Sequence, residues 1–194
     1  MFKQPNNIIF DLPKWIIEYV NNRTIFTNDS DKMAFVIKAS QRNVDAGTGG
    51  PFAAAIFNSE TDELISLGVN LVTTQGMSIL HAEMVAISLA QRKLGSYDLG
   101  AEGLPMLELA TTTEPCAMCF GAIPWSGVQR VVAGARDEDA RHIGFDEGPK
   151  LKDWVAALRE RNIAVSVDVK RDEAKSVLEN YLKASGRIYN SRES

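Results

Sequence analysis

The stretch TTTEPCAMCFGAI, residues 111–123, holds both cysteines of a 194-residue chain, three positions apart and directly after a proline. It follows MLELATT, an apolar run that reads as a strand, and it predicts a helix opening at Pro115, where a missing N–H is no loss. Cys116 and Cys119, at i and i+3, then share one helix face. Such a pair serves redox chemistry, half of a structural zinc site, or a catalytic metal. The rest of the sequence has to choose.

Upstream, LHAEMVAI (80–87) places His81 and Glu83 at the start of a second helix that runs to Leu94 and stops at Gly95. His81 and Glu83 lie ~200° apart around a helix, but first-turn side chains lean toward the N-terminus and both can reach a metal just beyond it. On its own His-x-Glu is a helix start with an acid in its first turn. Two thiolates and one imidazole, however, make three zinc ligands, and the only other histidine, His142, sits in a charged surface segment. A structural zinc site closes with four protein ligands, whereas a catalytic one leaves a position for water. Helix N-termini favour thiolate over thiol, and a carboxylate beside the metal can take a proton from water. Glu83 fits that role, first as general base and then as general acid.

Working outward, Asp31 is expected to cap a helix through about Asp45, which AGTGGP (46–51) ends. FAAAIF and LISLGVNLV read as strands joined by NSETDE, and VQRVVAGA and IAVSVDV (163–169) as two more. Helices are expected at 151–161 and 172–185, and Pro124 is expected to end the helix carrying the cysteines. Alternating strands and helices predict one α/β domain, residues 31–194, with a layered mixed sheet of five strands. Residues 1–30 read as an extension with a short helix near Leu12–Val20.

Composition excludes some functions. A net charge of −4 and a pI near 5.3 argue against a nucleic-acid surface, and the basic residues after 150 alternate with acids. No apolar run approaches the ~20 residues that cross a bilayer, and no secretion signal opens the chain. Two closely spaced cysteines make no disulfide framework, so a cytoplasmic, reducing compartment is expected.

HAE at 81–83 with PCAMC at 115–119 resembles the zinc-dependent nucleobase and nucleoside deaminases, whose signature is His-x-Glu with Pro-Cys-x-x-Cys. The resemblance implies a cytidine-deaminase-like three-layer α/β/α sandwich and one catalytic Zn²⁺ per chain, held by His81, Cys116 and Cys119. GGPF (49–52), NLVTT (70–74), AIPW and RHIGFDEGPK (141–150) look like the bacterial guanine deaminases of that fold, over about residues 31–150. Carried over by position, the likeness implies that Asn70 hydrogen-bonds the base and that Phe52, Trp125 and Phe145 wall the ring. It implies that Glu147 binds the substrate edge and protonates the leaving amine, and that Tyr189 belongs to a lid formed by the tail 186–194. A homodimer is implied too. The chain departs from the pattern at Ala53 and Glu147, where glycine and aspartate are frequent, and in Pro124 before Trp125. Deamination of tRNA adenosine or of a related amino-pyrimidine or amino-triazine, and a zinc-stabilised binding protein, are the alternatives; the acidic charge counts against the first and the intact Glu83 against the last.

Overall fold

A computed structural model describes residues 4–21 and 26–190. Five strands, β1 (Ala53–Asn58), β2 (Leu64–Val69), β3 (Leu107–Thr113), β4 (Arg130–Ala135) and β5 (Ala164–Ser166), form a sheet of order β2-β1-β3-β4-β5. β1 is antiparallel to both neighbours, whereas β3, β4 and β5 are parallel, so the sheet is mixed. The helices are α1 (Trp15–Asn21), α2 (Asp29–Asp45), α3 (Val72–Gln75), α4 (Ala82–Leu94), α5 (Ala117–Ser126), α6 (Asp137–His142), α7 (Trp154–Arg159) and α8 (Arg171–Lys183).

Alternate residues of β1 serve two cores, as a period of two requires. Ala53, Ala55 and Phe57 join Met33 and Val36 of α2 and Val177 and Leu178 of α8 on one face. Ala54 and Ile56 join Ala86 and Ala90 of α4, Ile123 of α5 and Leu158 of α7 on the other. The result is the three-layer α/β/α sandwich. The small residues of AAAIF let two helix layers close on one central strand. Gly68 does the same in β2, where a Cβ would lie 2.4 Å from Ala82 O and 2.5 Å from Ala86 N. That contact seats the first turn of α4, with Glu83, directly on the sheet.

Several boundaries differ from expectation. α2 begins earlier, because Asn28 is the cap: its side chain accepts from Asp31 N, while Asp31 accepts from Thr27. β2 ends at Val69 rather than running through NLV, and α3 follows. Pro115 stands before the helix and Cys116 occupies its N-cap. Pro124 lies inside α5, since it removes only one N–H. The real stop is Gly127 at φ 82, helped by Ser126 Oγ donating to Ile123 O at 2.7 Å.

At the first residues of β3 the fully buried Glu108 receives Lys32, at 2.6 Å, and Arg130, which also pairs with Asp29. Glu108→Ala leaves the buried Lys32 ammonium short of a partner. The expected loss is about 3 kcal/mol of folding stability, read as a lowered urea midpoint at unchanged slope.

Candidate metal centre and active site

Two chain reversals build the centre. β3 ends at Thr113, and after Glu114 and Pro115 the chain turns into α5 with Cys116 in extended backbone at φ −63, ψ 172. His81 holds the matching N-cap position of α4 at φ −66, ψ 155. Neither cap side chain is spent on its own helix, so both point onward. His81 Nδ1 lies 3.5 Å from Cys116 Sγ, and the donor atoms of His81, Cys116 and Cys119 all lie within 4.8 Å of one another. Zinc takes sulfur at ≈ 2.3 Å and imidazole nitrogen at ≈ 2.0–2.1 Å, so three such donors converge on one ion. Among the described residues the cluster has three donors, which leaves a fourth position open.

The electrostatics suit a cation. The hydrogen bond from Cys119, with His81 beside it, lowers the Cys116 thiol to about 4. Cys119 shares that proton and is buried near Glu83, which raises it. Burial opposes charge on His81, but Cys116 beside it brings the net shift upward. Burial raises Glu83, with the Cys116 charge adding to it.

His81, Glu83 and Cys116 open on a cavity of about 400 Å³, lined also by Phe52, Asn70, Phe145, Glu147 and Tyr189. Asn70 follows β2, with its N–H donating to Phe52 O at 3.0 Å and its Oδ1 accepting from Val72 N at 3.3 Å. That fixes the amide and leaves Nδ2 buried with no partner among the described residues. Phe145 stacks edge-on against Phe52 at 4.9 Å and against Tyr189 at 5.1 Å.

Glu147 is buried on a loop tied at several points. Its carbonyl accepts from Ala117 N, a free first-turn N–H of α5, at 2.9 Å, and Arg141 donates to Gly148 O at 2.8 Å. From the other side Asn190 donates to Gly144 O at 2.8 Å and accepts from Asp146 N at 2.9 Å. Burial raises the Glu147 carboxyl to about 8, with Cys116 and Glu83 adding to it. The tail reaches the cavity because Gly186 turns tightly under Tyr181, whose hydroxyl donates to Arg187 O at 2.7 Å. Burial holds the Tyr189 phenol well above its ordinary value.

Trp125 is the exception. It is 86% exposed and stands outside this cavity, with Phe120, Gly121 and Leu151. The buried residues of α5 are Cys119, Ile123 and Ser126, and Trp125 is two positions from Ile123, roughly 200° away. Within one chain it walls no ring. His142 is exposed, at the end of α6. Sequence reading did not single out Ser78, Thr113, Glu114 or Asn190, which also line the cavity. Of these only Glu114, in the TEPC turn beside a ligand, carried a local signal; it accepts from Lys150 at 3.3 Å and braces the loop after Glu147.

The model of the cytidine and deoxycytidylate deaminase zinc-binding region matches residues 26–135, and the chain belongs to that family of zinc-dependent deaminases. Among individual proteins, it is 39% identical over 120 residues to the guanine deaminase of Bacillus subtilis (strain 168), which covers 62% of this chain and 72% of that one. The solved guanine deaminase from Nitrosomonas europaea superposes with a TM-score of 0.88 at 40% identity, covering 94% of this chain and 100% of that one. The tRNA-specific adenosine deaminase of Buchnera aphidicola is 31% identical over 122 residues, 63% of this chain and 74% of that one. No helix among the described residues is long and apolar enough to cross a membrane.

Proposed function

We propose that this protein hydrolyses guanine to xanthine and ammonia. One observation carries the reading: a single cavity brings His81 and Cys116 of the metal triad together with two buried carboxylates, Glu83 and Glu147, and an amide donor on Asn70 that has no partner among the described residues. The size of that cavity suits a single nucleobase.

In this reading zinc on His81, Cys116 and Cys119 supplies Lewis acidity that lowers the pKa of water. Glu83 takes a proton from the attacking water as its oxygen bonds to C2 of guanine, and passes that proton to N3. Asn70 Nδ2 donates to an acceptor on the base, while the aromatic rings of Phe52 and Phe145 exclude water. Glu147 meets the N1–H and amino edge and gives the departing amine its proton. The C2–N bond breaks and ammonia leaves, the C2 hydroxyl gives up its remaining proton to the carboxylates, replacing the one Glu147 spent, and the new C2 carbonyl completes xanthine.

Tyr189 and Asn190 close the cavity as a lid, making 186–190 a functional tail on the 31–194 domain, while residues 191–194 of the expected lid lie outside the described residues. A homodimer belongs to this reading, with the exposed Trp125, Met118 and Leu151 as the surface to be covered. A reducing cytoplasm and a role in purine metabolism complete it.

The purified protein is expected to release ammonia from guanine and to leave a tRNA anticodon stem unchanged. Turnover of the stem in preference to guanine overturns the assignment.

A further inference from the structure

The chemistry above uses nothing from the first thirty residues. The geometry points to α1, Thr48 and Asn43 as a positioning device that reaches from the N-terminal segment to the backbone of Gly50 and Asn70. Asn43 lies on α2, fully buried. Its Nδ2 spends both hydrogens on two carbonyls, Gly50 O at 2.9 Å and Asn70 O at 3.0 Å. Its Oδ1 accepts from Thr48 Oγ1 at 2.7 Å, and that hydroxyl in turn accepts from Trp15 Nε1 at 3.1 Å. The Trp15 indole can only donate and the two carbonyls can only accept, so the direction of every bond in the chain is fixed. A flipped Asn43 amide would set oxygen against two carbonyls.

The contact leaves no slack. A Cβ on Gly49 would fall 1.8 Å from Asn70 O and 2.7 Å from Asn43 Nδ2, and one on Gly50 would fall 3.3 Å from Asn70 Oδ1 and 3.0 Å from the Tyr189 hydroxyl. The carbonyl that Asn43 grips thus belongs to the residue whose free Nδ2 serves the cavity. At the far end Trp15 is itself seated, edge-on to Tyr19 at 5.6 Å and under the Arg42 guanidinium at 5.4 Å. A shift of α1 is felt at Asn70 through three hydrogen bonds, without α1 touching the base. Thr48, Asn43 and Trp15 are positioning residues.

This inference rests on Asn70 as a base-binding residue, and its test has one arm free of that assumption. Thr48→Val keeps shape and removes the hydroxyl. It is expected to raise KM for guanine about tenfold, with kcat within about twofold, because loss of one buried hydrogen bond acts on substrate placement. Thr48→Ser restores the hydroxyl and is expected to restore KM. In parallel, amide hydrogen exchange over 49–53 and 70–74 is expected to quicken in Thr48→Val and not in Thr48→Ser, with no ligand present. The device is overturned by unchanged exchange in Thr48→Val, or by Thr48→Ser behaving like Thr48→Val. A kcat loss matched by loss of folded protein overturns it too. Quickened exchange beside an unchanged KM, or in a protein inert toward guanine, keeps the device and removes Asn70 as the base-binding residue.

Discussion

Glu83→Gln is expected to lower turnover of guanine by on the order of 10³-fold while the protein keeps its metal. Gln has the size and hydrogen-bonding edge of the carboxylate but cannot take a proton. The buried Glu83 sits beside Cys119 and within the field of Cys116 and His81, yet it is not one of the three converging donors. Substitution should therefore spare stoichiometric zinc and the melting temperature. Elemental analysis and steady-state kinetics on one preparation decide it. A variant that keeps zinc and a near-normal kcat removes Glu83 from the proton path.

Ending the chain after Gly186 should cost about 10²-fold in kcat/KM for guanine at nearly unchanged thermal stability. Two losses combine. Tyr189 leaves the cavity wall, where it packs on Phe145 and approaches Gly50, and water gains that space. Asn190 releases Gly144 and Asp146, the residues just before Glu147, so the second carboxylate loses one of its ties. The other ties, Ala117 to the Glu147 carbonyl and Arg141 to the Gly148 carbonyl, involve no residue of the removed tail and remain. The single variant Tyr189→Phe in full-length protein separates ring from hydroxyl and should retain most activity. Unchanged kinetics in the truncated chain would remove the lid.

Much of this was legible because it is short-range. His81, Glu83, Cys116 and Cys119 announce themselves by spacing at helix starts, and the five strands by buried apolar runs between turns. What escaped depends on contacts distant in sequence. α6, DEDARH, offers little apolar period; it is held by Asp139 accepting from Arg136 N and by ion pairs from Arg171. α3 has four residues, too few for a pattern. Trp125 shares a helix with two ligands, but which way a side chain faces depends on which neighbours are buried. The return of the tail rests on Tyr181 and Gly186, a turn with no signature before the α8 face is known.

β3 joins two unlike regions. Its start carries Glu108 between Lys32 and Arg130, and its far end, Thr113, leads into the cysteine turn. Seven residues of strand hold the two regions roughly 20 Å apart. Endurance and chemistry are thus housed at opposite ends of a single stave. Engineers seeking a hardier catalyst can rework the ionic end, and even replace it with oil-like side chains, without touching the reacting groups.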